Sequence, residues 1–491
     1  MTRMRMLSRA TSAIVLFVLF FLYGQSLFTS AYADVSLRKF PYPYRSMIAW
    51  MNDTEGLSTT TFEEVHRFLN TLKKNIPGYG DGVGLDIGDS FWLMAKSNSA
   101  VAMYSGPRKK DGSWPIDNQH FVLKYLKAGW IDSLHSYASD VNSEAFTFTR
   151  ADAVHLIDWL KGKGIYLDVW IDHGDNNSNV GTNWGHGRGA IAGSPEYHSD
   201  VTFQSDSKRG YGFRFVWIFS GREHRSANLE FEIEDVSEKT LSKLKVGNTI
   251  AIRTIQNKNP TKVKITKIDP SAKTVYGIVN NVGRHTMLDY RTFLDSTHVA
   301  KAWEFSRVTS DRFGRIWYAN LIDKQVSRET LDYLVENGLY EIFAVHLGYW
   351  GLPSGKGIER NTPQLLPEKS IRAFRLVKTY QDNGKILVAK GSRLLRYNLA
   401  NDFLEFQVKV DGSRTIIVIK RINDPWLGSF TPAVNDLKGI TFYCDKPVNT
   451  DIYIGNDEVP SKEIQRNPAD FTGRKSIGIK WYAPDYTDYT Q

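Results

Sequence analysis

The run Ser46-Met47-Ile48-Ala49-Trp50-Met51-Asn52-Asp53-Thr54-Glu55-Gly56 sets the reading of this chain. An uncharged apolar stretch stops abruptly in polar residues and a glycine. A short apolar run bounded by turn residues reads as a buried strand. Behind it, Thr60 with Glu63, or Thr61 with Glu64, offers a capping box and predicts a helix. The same unit recurs between about residues 44 and 398. Strands are predicted over 83–87, 131–137, 165–171, 213–218, 339–345 and 386–389. Helices are predicted over 121–130, 150–161, 327–335 and 367–380. Alternation of this kind and length predicts an α/β fold, a (β/α) barrel with a parallel sheet.

Two stretches depart from the alternation. Residues 226–290 are rich in short β-type runs and read as a small β-module inserted into the barrel, which then comprises 34–225 and 291–398. Residues 399–491 alternate polar and apolar with turn signals between, as in a β-sandwich-like C-terminal domain. Cys444, the one cysteine, lies in an apolar run and reads as buried strand packing. A single cysteine excludes an intramolecular disulfide framework.

Reactive groups of a βα barrel sit at the C-terminal strand ends. Here those ends carry Asp53 and Glu55, then Asp86 and Asp89, then His135 with Ser136, then Asp172 and His173, and finally His346; His198 follows in a loop. Imidazoles and carboxylates converging on one mouth suit a divalent ion with an open position, zinc first among them. Such an ion acidifies a bound water and polarises a carbonyl. Asp53, His135, His173 and His198 are the ligand candidates. His66, His120 and His155 fall within helical patterns and read as packing or surface residues.

In these features the barrel resembles the polysaccharide deacetylase, or NodB-homology, superfamily. Asn52-Asp53-Thr54-Glu55-Gly56 stands where that family has an Asp-Asp-Gly type motif, His135-Ser136 where it has a His-Ser/Thr pair, and Val345-His346-Leu347 where it has a Leu-x-His strand. The resemblance implies a metal-dependent hydrolase that removes acetyl groups from a polysaccharide, with Asp53 and His346 as catalytic acid–base groups. The family's second metal histidine corresponds to Ser139 here, with Asp140 next to it. If Asp53 binds the metal, Asn52 occupies the base position; if Asp53 is the base, Glu55 reaches the metal. Trp92, Trp170 and Trp217 are candidates for lining a sugar cleft. Two other readings stay open: a glycoside hydrolase using carboxylates such as Asp86, Asp172 or Glu223, and a non-catalytic polysaccharide-binding protein.

The first 33 residues read as a secretory signal peptide. Arg3, Arg5 and Arg9 precede an apolar core over 13–23 and an Ala31-Tyr32-Ala33 cleavage signal, which predicts export and no stable membrane insertion afterwards. Removing those three arginines from the 62 Lys and Arg leaves 59 against 53 Asp and Glu. That surplus forms no long Lys/Arg run and does not support nucleic-acid binding.

Overall fold

In a computed structural model the described residues are 34–96, 100–138, 148–173, 178–182, 185–205, 211–218, 230–233, 236–252, 261–279, 288–294, 299–308, 310–311, 314–315, 317–351, 358–360 and 366–491. The predicted signal peptide lies outside them, as do Ser139, Asp140 and Glu223. No helix among them is long and apolar enough to cross a membrane.

The chain is mixed α/β. The apolar run becomes strand β1 (Ser46–Asn52), buried along its whole length. Helix α1 (Thr59–Asn70) follows, capped by the Ser58 hydroxyl, which accepts from Thr61 N at 3.1 Å. The cap therefore sits upstream of both predicted boxes. The strand expected over 83–87 is instead irregular chain held on α1, with Val83 N donating to Phe68 O and Leu85 N to Leu69 O. Gly82 and Gly84 explain this: a Cβ on Gly82 would meet Thr71 O at 2.3 Å, and Gly84 has φ +61. The true strand, β2 (Gly88–Ala95), begins just beyond.

The remaining core elements are α2 (Gln119–Ala128), β3 (Ile131–His135), α3 (Arg150–Gly162), β4 (Val169–Ile171), β5 (Phe215–Trp217), β6 (Val299–Phe305), α4 (Arg328–Asn337), β7 (Tyr340–Val345), α5 (Glu368–Asp382), β8 (Ile386–Val388) and α6 (Gly391–Phe403). The strands lie in the order β6-β5-β4-β3-β2-β1-β7, each pair parallel. β8 pairs with the early half of β1. Isolated parallel bridges tie Val308 to Phe343 and Tyr318 to His346.

Alternation divides the side chains of these strands between two cores. Met47, Ala49 and Met51 of β1, Val169 and Ile171 of β4, Trp303 and Phe305 of β6, and Ile342 of β7 belong to one cluster. Their neighbours Ile48, Trp50, Trp170, Ala302 and Phe343 belong to the other, which packs under the helices. This two-residue period carries forward past the strand ends and decides which polar groups meet.

The 226–290 stretch contributes a four-stranded antiparallel sheet of Glu230–Ile233, Thr274–Val279, Thr261–Asp269 and Thr249–Ile252 over a small core of Leu241, Ile265 and Val275. Beyond α6, which sequence reasoning missed, two four-stranded sheets share one core. Cys444 is buried there. Ser36–Leu37 pairs antiparallel with Thr441–Tyr443 in one of these sheets. Residues 485–491 in turn lie on α1 and α2: Lys73 meets Asp488 at 2.7 Å, and the Tyr489 ring stands edge-on to Trp130.

Candidate active site

Two residues beyond Met51, on the same side of the chain, comes Asp53. Two beyond Ile171 comes His173, and two beyond Phe305 comes Arg307. His135 closes β3, and His346 follows β7. The structure brings these five together with Glu55. Backbone contacts fix the loops that carry them: Asp53 N donates to Val345 O, and Leu347 N donates to Asn52 Oδ1 at 2.9 Å. Gly56 (φ +81) and Gly348 then press backbone against backbone. A Cβ on Gly348 would stand 2.3 Å from Gly56 C, and one on Gly56 would stand 2.6 Å from Gly348 O.

Asp53 has both oxygens engaged by one guanidinium. Arg307 Nη1 donates to Oδ1 at 2.7 Å and Nη2 to Oδ2 at 2.9 Å, and both residues are buried. The guanidinium lies over the Trp217 ring, 3.9 Å from its centroid. Burial works against an ionised Asp53, but Arg307 wins, with His135 and His346 adding to it, and the carboxyl is held below its usual range. Asp53, expected as a metal ligand, is thus locked by a cation of the protein itself. Arg307 is the functional residue that sequence reasoning missed. The signal was present in Trp303-Glu304-Phe305-Ser306-Arg307, the same apolar-to-polar step at period two as Met51 to Asp53.

Glu55 occupies the centre. Its Oε1 lies 3.2 Å from His173 Nε2, and its Oε2 lies 3.7 Å from His135 Nδ1 and 3.6 Å from His346 Nε2. Neither oxygen has a hydrogen-bond donor in good geometry; the 3.2 Å contact with His173 is near but misdirected. Burial pushes the His135 imidazole down to about 4 and lowers His346 as well, against the pull of Asp53 and Glu55. At neutral pH these two rings are neutral bases. Burial would raise the Glu55 carboxyl, yet His135, His173 and His346 together hold it below its usual range. Among the described residues the cluster thus contains two carboxylates and a single guanidinium, so Glu55 is opposed only by the three imidazoles around it.

Aromatic rings fix the imidazoles. Trp92 stacks on His135 at 4.0 Å and meets His173 edge-on. Trp317 and Tyr349 flank His346 at 4.8 and 5.6 Å, and both are half-buried. Of the tryptophans expected to line a cleft, Trp92 and Trp217 underlie site residues. Trp170 faces the other core and donates Nε1 to Asp172.

Other candidates are engaged elsewhere. His198 is not free to ligate: its Nδ1 contacts Thr202 Oγ1 at 2.9 Å and its Nε2 meets Ser178 O at 2.7 Å, both within the core. Asp172 accepts from Trp170 Nε1, Val180 N and Gly181 N. Asp86 pairs with Arg393 and Lys390 at the start of α6. His66, expected as packing or surface, is fully buried with its Nε2 2.9 Å from Asp89 Oδ2, and Asp89 accepts from Asn52 Nδ2 at 2.5 Å. Asn52 therefore bridges Asp89 to Leu347 N and holds the His346 loop rather than facing the site.

Ser136 follows His135 with φ +53, a conformation uncommon for a residue with a Cβ and frequent at functional sites. Comparison of the chain with models of known families, with curated proteins and with solved structures returns no match. Among the described residues no three His, Cys, Asp or Glu side chains close tightly enough to form an assembled metal site. The donor chemistry nevertheless fits one. Imidazole nitrogens and a carboxylate without a well-placed donor lie 3.2–3.7 Å apart.

Proposed function

We propose that the protein is an exported metal-dependent hydrolase that removes acetyl groups from a polysaccharide, built on a (β/α) barrel, a reading that the isolated bridge of Val308 to Phe343 supports. The observation that carries this reading is Glu55: a buried carboxylate without a hydrogen-bond donor, set among three imidazoles, beside a second carboxylate already neutralised by Arg307. Glu55, His135 and His173 would hold the ion, with zinc favoured by a nitrogen and carboxylate donor set. When bound, the ion supplies an acidified water and polarises the substrate carbonyl.

The chain's own groups do the rest. Asp53, kept ionised and oriented by Arg307, accepts the proton of the attacking water. His346 Nε2 lies 3.9 Å from Asp53 Oδ2. Burial keeps His346 neutral at rest, so it gains its proton within the cycle, with Asp53 as the nearest source, and delivers it to the leaving amine or hydroxyl. Trp317 and Tyr349 present apolar faces beside His346 on which a sugar ring can rest. A glycosidase needs one carboxylic acid held protonated. Here both central carboxyls are lowered, and Asp86 and Asp172 are committed to other partners, which favours the deacetylase reading.

Metal analysis of the purified protein beside an acetate-release assay on acetylated glucan oligomers tests the proposal. Glu55→Gln should lose both metal and activity. His346→Ala should keep the metal and lose activity. A wild type that stays metal-free after zinc loading would overturn the mechanism.

A further inference from the structure

A histidine with no place in the proposed chemistry lies buried behind the site. His66 belongs to α1, and none of its ring reaches solvent. Its surroundings fix where its protons are. Asn70 Nδ2 donates to Ile87 O at 2.7 Å, and a carbonyl can only accept. That contact orients the Asn70 amide, so its Oδ1 faces His66 Nδ1 at 2.8 Å. An amide oxygen also only accepts, and Nδ1 therefore carries a hydrogen.

The other ring nitrogen faces a carboxylate. His66 Nε2 stands 2.9 Å from Asp89 Oδ2, and both side chains are fully buried. The contact lies off the line of a hydrogen bond, so charge rather than direction holds it. Asp89 Oδ2 also accepts from Asn52 Nδ2 at 2.5 Å, while Oδ1 has no donor among the described residues. No described Lys or Arg pairs with Asp89. A neutral ring hydrogenated at Nδ1 would set Nε2, an acceptor, against another acceptor. A proton on Nε2 removes that conflict and supplies the cation that a buried carboxylate needs. The Trp130 ring, stacked on the imidazole at 5.3 Å and 16°, presents a face that favours positive charge. Phe62 packs at 4.3 Å, and Tyr125, bonded to Glu63, stacks on Trp130 too.

The ionisation of Asp89 matters through what it imposes on Asn52. A carboxylate accepts and never donates, whereas a carboxyl group or an amide there could do either. Facing an obligate acceptor, Asn52 must present Nδ2 to Asp89. Its Oδ1 is then turned to Leu347 N, which donates at 2.9 Å, and Leu347 directly follows His346. Orientation thus passes from α1 through β2 and β1 to the turn after β7.

We propose that His66 is a buried imidazolium, protonated on both nitrogens, and a positioning residue for His346. Its charge keeps Asp89 an acceptor, Asp89 orients Asn52, and Asn52 anchors the turn that presents His346. The role at His346 rests on the hydrolase reading; the protonation of His66 does not.

The test is NMR of the protein spanning residues 34–491 with isotope-labelled histidine at about pH 7.5, where an imidazole free in water is mostly neutral. His66 is assigned through its contacts with the Trp130 ring. Wild type should show hydrogens on both ring nitrogens of His66, and a single ring hydrogen would overturn the proposal. Asp89→Asn should leave His66 with one ring hydrogen and shift the His346 ring signals. Val377→Ala, which thins the same core away from this network, should leave the His346 signals in place. Unmoved His346 signals in Asp89→Asn would overturn the positioning role. In the acetate-release assay Asp89→Asn should lower kcat by roughly tenfold to a hundredfold at unchanged KM, with zinc retained. An inactive wild type would count against the hydrolase reading alone, since the ring hydrogens and the His346 shifts are read without substrate.

Discussion

Replacing Arg307 by methionine removes one half of a buried ion pair and leaves the other half in place. Arg307 is 1% exposed and Asp53 3%, and their two contacts of 2.7 and 2.9 Å form a bidentate fork. Breaking such a pair costs about 3–5 kcal/mol, because the remaining charge keeps its desolvation penalty. Here the penalty falls beside Glu55, a second buried carboxylate. Urea unfolding followed by tryptophan fluorescence should show a lower midpoint with an unchanged slope. The pH dependence has a definite sign. In wild type the lowered Asp53 pKa adds stability above its ordinary value of 3.8, lost as the pH falls through the folded value. In Arg307→Met the strongest lowering influence on Asp53 is gone and burial works against only His135 and His346, so its pKa rises, the deficit is largest at neutral pH, and it shrinks as the pH falls toward about 4. Adding Asp53→Asn should recover about 2 kcal/mol relative to additivity. A loss below about 1 kcal/mol for Arg307→Met, or strict additivity in the double variant, would refute the buried-pair argument.

Other outcomes follow from single contacts. Burial holds the folded His198 pKa down to about 4, so its contribution to stability is complete above about 6.5 and lost as the pH falls toward 4; His198→Gln should remove on the order of 3 kcal/mol of acid sensitivity, read from urea midpoints at several pH values. Gly56→Ala demands φ +81 of alanine and a Cβ 2.5 Å from Tyr349 Cε1; it should cost about 1–3 kcal/mol and reduce zinc retention through Glu55. Deleting residues 485–491 uncovers Trp130 and frees Lys73, which should lower stability by roughly 1–3 kcal/mol and shift tryptophan emission to longer wavelength. N-terminal sequencing of the protein from its native host should begin at Asp34.

Much of the site was legible because it follows a simple period. Asp53, His173 and His346 each continue an apolar strand face, and the alternation that buries Met51, Ile171 and Ile342 aims them inward. Strand ends therefore predicted the company they keep. Roles were less legible than positions. Whether Asp53 or Glu55 remained available depended on Arg307, which is 254 residues away in sequence and meets Asp53 only through the sheet order. His198 carried a loop context like that of His173, but its partners are the carbonyl of Ser178 and the hydroxyl of Thr202, set by packing that local sequence does not show. The 83–87 run had strand composition, and two glycines turned it onto α1 instead. Helix α6 was missed because its apolar positions read equally as the start of the β-rich region that follows.

The crossed ends of the chain bear on how it folds. Ser36–Leu37 finds its strand partner only at Thr441–Tyr443, and residues 485–491 settle on helices made from positions 59–128. Closing loops of about 400 residues is a slow, entropically opposed step. During synthesis, at roughly 5–20 residues per second, the early segment waits tens of seconds for its partners. A chain interrupted before residue 441 would hold an unpaired edge at its start and an uncovered Trp130. Once both ends have docked, neither can peel away without breaking contacts in the opposite half. Resistance to unfolding should then appear chiefly as a slow rate.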